Sequence, residues 1–529
     1  MKNKKIQVFD TTLRDGTQAE KISLSAEDKI HIAQRLDQMG FDYIEGGWPG
    51  SNPKDMKFFD KAKYMEFENS KICAFGSTRH AKNEVQDDPN IQALLAAETP
   101  AVSIFGKSWT LHVEKALKVS PRDNLEMIRD SIKYMRDNNK EVIYDAEHFF
   151  DGYIDSPEYA LETLKVAAEA GANMIVLCDT NGGTLPGKLR EIIDEVMIRI
   201  QAPIGIHAHN DSGVAVANTI AAVQAGAVHI QGTINGYGER CGNANLCSII
   251  PNLQLKAGYK CLEDDKIKQI TSLSHYVSEV ANLMHPNSMP FTGKSAFAHK
   301  GGIHVSAVMR EESSYEHIKP ETVGNTRRVL VSDLSGKSNI RYKAKELGID
   351  LNKPKHKKNL REIVDQLKIL EHEGYQYEAA EASLELLINK INSEYQSHFE
   401  LIGFRIFIEK DKSGEIRSEA SIRVIVDGVE EHTAAEGNGP VNALDNALRK
   451  ALIEFYPEVS KLKLEDYKVR VLNGQGGTGA KVRVLIETGT QDSDQTWGTV
   501  GASRNIIQAS WQALTESVSY YLMKNRDQI

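Results

Sequence analysis

Short apolar runs recur through the first half of the chain at a nearly even pace, and helical patterns fill the gaps between them. In SLSAEDKIHIAQRLDQMG, for example, Ser25 is a capping residue, apolar positions share one helical face, and Gly40 ends the helix. Strands that alternate with helices form a parallel sheet. Eight such units predict an α/β fold, a closed (β/α)8 TIM barrel, with an open doubly wound sheet as the alternative. The runs are IQVFD (6–10), YIEGGW (43–48), KICAFG (71–76), AVSIFG (101–106), EVIYDAEHF (141–149), MIVLCDT (174–180), IGIHAHN (204–210) and HIQGTING (229–236).

Polar residues mark the C-terminal ends of these runs, and their placement favours the barrel. Barrel enzymes build their sites on that rim from the ends of several strands. A shared site at this rim is therefore expected. The residues concerned are Arg14, Asp15, Glu45, Glu147, Asp179, Thr180, His207, His209 and Asn235.

The seventh run places His207 and His209 two positions apart, so both face one side of a strand. Two neutral imidazoles suit a divalent metal, although such pairs are more often ordinary structure. The first and seventh strands of a barrel are separated only by the eighth, so Asp15 is expected to approach the pair. Asn243, in the loop after the eighth run, offers a fourth ligand oxygen. The candidate ions are Mg²⁺, Mn²⁺, Zn²⁺ and Co²⁺.

Side chains beside this predicted metal site indicate chemistry on a 2-oxo acid, which chelates an ion through its keto and carboxylate oxygens. Arg14 is a permanent cation with a planar donor fork, which suits an enolate oxygen; a rim salt bridge is the alternative. Glu147 shares a strand face with Asp145, and it is a candidate base or a supporting acid. Thr180 either binds a substrate carboxylate or caps the following helix.

The second half of the chain has a different organisation. Residues 1–270 are expected to form the barrel and 271–395 helical linker subdomains. Residues 396–529 contain two copies of a β-β-β-α pattern, and such an internal repeat is typical of a separate α+β module.

Composition excludes several classes of protein. The net charge of −9 does not favour nucleic-acid binding, which usually requires a basic surface. Five cysteines without CxxC spacing fit a reducing cytosol rather than a disulfide framework. We find no apolar signal core near MKNKKIQVFD and no apolar run of the roughly 20 residues that a membrane span needs. A cytoplasmic protein without membrane contact is expected.

Three stretches resemble the family of 2-isopropylmalate, homocitrate and citramalate synthases. They are LRDGTQAEKISLSAEDK (13–29), HAHND (207–211) and NGYGERCGNANL (235–246), and they occur in the family's order. The resemblance extends over the whole chain. It implies a metal-dependent TIM barrel, helical subdomains, and a C-terminal regulatory and dimerisation domain that senses leucine or isoleucine in a homodimer.

The resemblance also implies roles for single residues. By position, it assigns metal ligands at Asp15, His207, His209 and Asn243, substrate contacts at Arg14, Asp145 and Thr180, and catalytic groups at Arg14, Glu147, His304 and Tyr315. His304 and Tyr315 correspond to residues that reach a neighbouring subunit's site. Both Glu147 and the His304–Tyr315 unit remain candidates for the base. Asp145 stands where some family members carry a tyrosine on the keto acid.

Two further stretches, GWPGSNPKD (47–55) and DAEHFFDGY (145–153), most resemble the long-form citramalate synthase branch. That branch implies a Claisen condensation of acetyl-CoA with pyruvate, followed by thioester hydrolysis, in isoleucine biosynthesis. Isopropylmalate synthesis from 2-oxoisovalerate, for leucine, is the chief alternative. A 3-hydroxy-3-methylglutaryl-CoA lyase is another, but it would need a cysteine well before Asn243, whereas Cys241 is two residues away. A non-enzymatic amino-acid sensor would not need the complete barrel set.

Overall fold

A computed structural model describes residues 4–332, 334–351, 356, 359–410, 412–472 and 474–525. The chain divides into two compact units. The first comprises Met1–Phe297 with His317–Arg327, and the second comprises Ala298–Glu316 with Arg328–Ile529. Within the described residues, no helix is both long and apolar enough to cross a bilayer.

The first unit contains a closed barrel of eight parallel strands, in which each strand pairs with the next and the eighth pairs with the first. The predicted (β/α)8 barrel is therefore confirmed, and every apolar run corresponds to a strand. The strands are β1 Gln7–Asp10, β2 Tyr43–Gly47, β3 Lys71–Ser77, β4 Ala101–Lys107, β5 Glu141–Glu147, β6 Met174–Asp179, β7 Ile204–Ala208 and β8 His229–Gly232.

Helices follow the strands, and their ends carry ordinary capping chemistry. The helix at Ala26–Met39 begins at Ser25, which forms a capping box with Asp28, and it ends at Gly40 with φ +83°. The helices of this unit are α1 Ala26–Met39, α2 Pro53–Ala62, α3 Pro89–Ala96, α4 Pro121–Asp137, α5 Phe149–Asp155, α6 Pro157–Glu169, α7 Pro186–Arg199, α8 Ala215–Ala225, α9 Leu246–Pro251 and α10 Ile270–Val280.

The seventh strand is shorter than its sequence pattern predicts, and the difference shapes the site. It ends at Ala208, and His209 instead forms an isolated antiparallel bridge with Asn243. The His209 backbone N–H donates to the carbonyl of Asp179, the last residue of β6, at 3.2 Å. The loop after β8 is thereby fastened to the end of β7.

The second unit begins with linker elements and then repeats one motif. A two-stranded parallel pair precedes helices, and two three-stranded antiparallel sheets follow, each succeeded by a helix. The predicted β-β-β-α repeat is confirmed. The elements are β9 Ala298–His299, α11 Gly302–Val308, β10 Arg328–Val329, α12 Lys337–Glu346, α13 Leu360–His372, α14 Glu381–Ile391, β11 Phe399–Lys410, β12 Ile416–Val426, β13 Val429–Gly437, α15 Pro440–Leu452, β14 Leu462–Val471, β15 Val482–Thr490, β16 Ser493–Ser503 and α16 Ile506–Lys524.

Each three-stranded sheet packs one face on the helix that follows it. On β12, burial alternates with a period of two, and Ile422 and Val424 pack against Leu444 and Leu448 of α15. The second sheet packs Val484 and the other inward side chains of β15 on α16 in the same way. Phe407 is exposed on the opposite face of the first sheet, and Val471 is exposed on the edge strand β14, on the same face as Val482.

Candidate active site

A cavity of about 340 Å³ opens at the C-terminal ends of the barrel strands. Most of the residues predicted for the site line this cavity. Its lining consists of Arg14, Asp15, Thr17, Gln18, Trp48, Ser51, Asn52, Asp55, Phe75, Phe105, Asp145, Glu147, Cys178, Thr180, His207, His209, Glu239 and Arg240.

Asp15, His207 and His209 converge at the base of the cavity, and all three are buried. His207 Nε2 lies 3.4 Å from Asp15 Oδ2 and 3.3 Å from His209 Nε2. The His209 Nε2 to Asp15 Oδ2 distance is 3.8 Å. Donor atoms that share one ion at about 2.0–2.2 Å must lie within about 4.4 Å of each other, and these three do. The group therefore has the composition and spacing of a divalent-metal site.

Two unpartnered oxygen atoms support this interpretation. Asp15 Oδ1, the second oxygen of the carboxylate in the cluster, and Asn243 Oδ1 are buried and have no hydrogen-bond partner among the described residues. Buried polar atoms without partners are rare and need an explanation, such as an ion. Burial would raise the pKa of Asp15, but Arg14 and His207 hold it well below its usual range, so the carboxylate is charged.

A chain of hydrogen bonds fixes the orientation of the His207 ring. Gln231 Nε2 donates to Asp145 Oδ1 at 3.0 Å, and Ser103 Oγ donates to Asp145 Oδ2 at 2.6 Å. Gln231 therefore presents its oxygen to His207 Nδ1, 2.9 Å away, which must carry the proton. In the neutral ring, which is the form that binds a metal, the lone pair is therefore on Nε2, the nitrogen nearer Asp15. Such a partner orients a ligand histidine and makes it more basic.

Asp145, predicted to contact substrate, uses both carboxylate oxygens in this chain. Burial and the nearby charge of Glu45 raise the pKa of Asp145 to about 6. Its substrate contact stays a prediction.

Glycines shape the loop that brings Asn243 beside His209. Gly238 has φ +152°, and a Cβ there would lie 2.2 Å from Asn243 Nδ2. Gly242 has φ +83°, and its Cβ would lie 2.0 Å from the Gly236 carbonyl oxygen. Only glycine fits both positions, which gives a physical reason for the NGYGERCGN pattern. Asn243 Nδ2 donates to the Tyr237 carbonyl at 3.2 Å, so Oδ1 is the free acceptor.

Arg14 is held on three sides. Its Nε donates to Glu45 Oε2 at 2.7 Å, its Nη1 lies 3.0 Å from Asp15 Oδ2, and its guanidinium carbon lies 3.8 Å from the centre of the Phe75 ring. Thr11 Oγ1 also donates to Glu45 Oε2, at 2.5 Å. A cation packed this way is fixed in position before any substrate arrives. The rim salt bridge considered for Arg14 is present, and it fixes the guanidinium at the wall of the cavity.

Glu147 and Thr180 lie on neighbouring strand ends at the cavity rim. Glu147 forms an ion pair with Lys107, the last residue of β4. Thr180 Oγ1 accepts a hydrogen bond from the His148 backbone N–H at 2.9 Å. Arg240 donates to the Thr180 carbonyl oxygen at 2.7 Å and pairs with Asp211, which ties together three rim loops.

An aromatic group walls the side of the cavity nearest Arg14. Phe75 and Phe105 stack with ring centres 5.2 Å apart, and Trp48 meets both edge-on at 5.6 Å. The loop that carries Trp48 is anchored by the buried Lys29, whose ammonium pairs with Asp55 at 2.5 Å. Asp55 Oδ2 in turn accepts a hydrogen bond from the Trp48 backbone N–H at 2.9 Å.

His304 and Tyr315 belong to the second unit. Their rings stack with centres 4.3 Å apart, so they form one local pair. Their predicted catalytic part remains a prediction.

Several residues that shape the site were not singled out by the sequence, namely Lys107, Gln231, Arg240 and the aromatic group of Trp48, Phe75 and Phe105. A lysine that ends a strand resembles any solvated strand terminus, and a strand glutamine carries no metal signal of its own. Arg240 lies within the recognised NGYGERCGN stretch and was the easiest of these to find. Glu45 was placed on the rim, but its contact with Arg14 was not foreseen.

The chain matches known families along its length. Residues 5–277 match the HMGL-like family, 291–374 the homocitrate synthase post-HMGL domain, and 378–522 the LeuA allosteric (dimerisation) domain. It is 54% identical over 526 residues to an (R)-citramalate synthase of Aquifex aeolicus, with 99% of both chains covered. It is 55% identical over 523 residues to that of Geobacter sulfurreducens, covering 99% and 98%.

A relative of the alternative type is more distant. The 2-isopropylmalate synthase of Methanocaldococcus jannaschii is 32% identical over 522 residues, covering 98% of this chain and 95% of that one. Identity over nearly the full length therefore favours the citramalate branch. The chain belongs to the HMGL-like family, and within it to the group that contains the (R)-citramalate synthases.

Proposed function

We propose that the protein is an (R)-citramalate synthase, which condenses acetyl-CoA with pyruvate and hydrolyses the thioester to citramalate and CoA. The observation that carries the proposal is the buried Asp15–His207–His209 cluster with a fixed Arg14 beside it. This set combines a chelating site for a 2-oxo acid with a cation for the oxygen on which charge develops.

Asp15, His207 and His209 would hold the metal, with Asn243 Oδ1 as a further ligand. When bound, a divalent ion such as Mg²⁺, Mn²⁺, Zn²⁺ or Co²⁺ would act as a Lewis acid toward the keto group. The mixture of two imidazoles with carboxylate and amide oxygens accepts all four ions.

Bond formation needs an acetyl-CoA methyl carbon that has lost a proton. A base takes that proton, the new carbon–carbon bond forms at the keto carbon of pyruvate, and water then cleaves the thioester and releases CoA. Glu147 is one candidate for the base because its carboxylate lines the cavity and is held there by the ion pair with Lys107. The His304–Tyr315 pair remains the other candidate.

Arg14 would bind the oxygen that becomes negative. Its contacts with Glu45, Asp15 and Phe75 restrict the guanidinium, so little reorganisation is needed when charge develops. Thr180, whose Oγ1 accepts from the His148 N–H, would donate its hydroxyl proton to a carboxylate of the keto acid.

The aromatic wall supports the choice of pyruvate. Trp48, Phe75 and Phe105 fill space beside Arg14, where a branched side chain would need room. The methyl group of pyruvate requires less volume than the isopropyl group of 2-oxoisovalerate, so a filled wall disfavours the larger acid.

A keto-acid panel tests this function. Acetyl-CoA is supplied with pyruvate, 2-oxobutyrate, 2-oxoisovalerate or 2-oxoglutarate, and released CoA is followed with a thiol reagent. We expect the highest kcat/KM with pyruvate. The highest value with 2-oxoisovalerate would make the protein an isopropylmalate synthase, and no CoA release with any acid would contradict synthase activity.

We also propose that isoleucine or leucine is an allosteric effector. A cavity of about 650 Å³ in the second unit is lined by Lys461, Asp492, Trp497, Tyr520 and Tyr521, among others. Lys461 and Asp492 pair at 2.7 Å and offer charges complementary to an amino acid, while Trp497 stacks on Tyr521. Titration of either amino acid should inhibit turnover and change tryptophan fluorescence. The fluorescence change should be absent in Trp497→Phe; its persistence would place the effector elsewhere.

A homodimer is the proposed assembly. Phe407 is exposed on the outer face of the first sheet, and Ile408, Val469 and Val471 are exposed on the edge strands β11 and β14; the four are between 41% and 60% accessible. Exposed apolar side chains on sheet edges and faces mark interaction surfaces, and the matched domain is described as a dimerisation domain. Light scattering should give twice the 58.8 kDa chain mass. Phe407→Glu should shift the protein toward monomer.

A further inference from the structure

A second groove, separate from the barrel cavity, lies wholly within the second unit. It measures about 620 Å³, and its walls come from the end of α13, the segment before α14, and strands β14 and β15. The lining residues are Lys300, Lys368, Glu371, His372, Tyr375, Gln376, Glu378, Arg470 and Arg483.

Positive charge is in excess in this groove. Four lysine and arginine side chains face two carboxylates, and one carboxylate, Glu378, already pairs with Lys300 at 2.6 Å. Lys368, Arg470 and Arg483 then share the groove with Glu371 as the remaining acid. His372, one turn after Lys368 on α13, adds a further donor.

The two arginines are direct cross-strand partners. Arg470 of β14 lies opposite Arg483 of β15 in the antiparallel register, so both side chains leave the same face of the sheet. Like charges directly opposite each other destabilise a sheet. Burial lowers the pKa of Arg483, and the charge of Arg470 lowers it further, while Glu371 and Glu378 offset part of this effect.

The contacts of Arg483 do not neutralise its charge. Its Nε donates to the Gly374 carbonyl at 2.5 Å, its Nη1 donates to Gln376 Oε1 at 2.5 Å, and its Nη2 lies 3.4 Å from the Tyr375 carbonyl. All three acceptors are uncharged. Within the described residues, no carboxylate lies at ion-pair distance from Arg470 or Arg483. A half-buried cation with neutral acceptors and a second cation across the strand is a favourable place for an anion.

We propose that this groove is a binding site for a phosphate-bearing anion of the diphosphate type. Arg470, Lys368 and His372 supply donors from opposite walls, and Arg483 contributes positive charge from the floor. A compact anion with several oxygens would offset the arginine pair and hydrogen-bond to both walls. The inference does not depend on the reaction carried out in the barrel.

Inorganic pyrophosphate is the first probe, used with the full chain in buffer without added divalent metal. We expect binding by calorimetry and a higher thermal-unfolding midpoint, because an anion that binds only the folded state stabilises it. Arg470→Gln should weaken binding by about tenfold, the size of one charge-assisted contact, and Arg470→Gln with Lys368→Gln should weaken it further. Arg405→Gln is the matched control, since it removes the same charge from an exposed position on β11.

Each outcome decides the proposal. No pyrophosphate binding, equal weakening by Arg470→Gln and Arg405→Gln, or unchanged binding in Arg470→Gln would overturn it. ADP, adenosine and inorganic phosphate distinguish the source of the anion. Binding of ADP but not adenosine indicates a nucleotide diphosphate, whereas equal binding of pyrophosphate and ADP indicates that the free anion suffices.

Discussion

Two buried histidines at opposite ends of the barrel interior have different surroundings. At the C-terminal end, His207 is fixed by Gln231 and faces Asp15 and His209. At the N-terminal end, His229 packs between the rings of Phe9 and Tyr43, with centres 5.4 Å and 5.7 Å away. Both ring nitrogens of His229 are buried without a partner among the described residues. Burial lowers the pKa of His229 to about 3, so that ring is neutral.

The difference shows that burial of a histidine in a barrel does not identify a site. His229 is a core residue within an apolar layer that includes Cys73 and Val176. His207 is also buried, but Gln231 contacts its Nδ1 and Asp15 lies near its Nε2. These two contacts fix the orientation of the ring. A strand histidine therefore indicates a metal only when its neighbours set the tautomer and supply charge.

The largest effect is expected from Asp15→Asn. This change removes the only carboxylate of the three-residue cluster, and several kcal/mol of Lewis-acid assistance correspond to a loss of at least about 10³-fold in kcat. Metal content measured after dialysis should fall in parallel. Asp10→Asn is the matched control, because burial raises the pKa of Asp10 to about 7 and the neutral amide resembles its protonated form. Near-normal activity and metal content in Asp15→Asn would contradict the metal site.

Arg14→Lys is expected to have the next largest effect. Lysine keeps the charge but loses the fork that spans Glu45 and Asp15, and loss of one oxyanion donor costs about 10²–10³-fold in kcat. The KM for pyruvate should change much less, because the interaction strengthens as charge develops. A rise in the KM for pyruvate with an unchanged kcat would instead mean that Arg14 binds the substrate and the transition state equally well.

Much of the barrel could be predicted from the sequence because of how its strands are buried. Parallel barrel strands are buried on both faces, so each appears as a continuous apolar run with a polar end. Asp15, Glu147, Thr180, His207 and His209 were visible because they occupy those ends.

The rest depended on pairing between strands that are distant in the chain. The bridge between His209 and Asn243 and the Gln231–Asp145 hydrogen bond follow from the register of β7, β8 and their loops. Register is set by tertiary packing rather than by any local pattern. Lys107 was missed for the same reason, since only its neighbour on β5, Glu147, gives it a role.

Gln231→Leu tests whether the hydrogen bond between Gln231 and His207, a contact that His229 lacks, supports metal binding. It should weaken metal affinity by about 10–100-fold, as removal of such a hydrogen-bond partner does, and excess metal should restore activity. Chelator competition measures the affinity. His229→Leu, two residues earlier on the same strand, should leave metal affinity unchanged. If both variants weakened metal binding equally, general disturbance of β8 would explain the loss and the assigned contact would not.

The smallest effect is expected at the other end of the barrel, in the pH dependence of stability. His229 has a folded pKa of about 3 against an ordinary value of 6.5, so the unfolded chain binds more protons as the pH falls. Its contribution to stability is complete above pH 6.5 and is lost progressively from there down to about pH 3. At pH 5 the loss is about 2 kcal/mol.

His229→Leu should remove that loss while leaving catalysis intact. Its unfolding free energy should fall less between pH 7.5 and pH 5 than that of the natural chain, by about 2 kcal/mol, whatever its absolute stability. Only the difference between the two pH values matters, because leucine also changes packing against Phe9 and Tyr43. Parallel pH curves for His229→Leu and the natural chain would mean that His229 binds its proton equally well in the folded and unfolded states. The apolar packing around His229 would then not keep its ring neutral, which is the difference from His207 that the structure indicates.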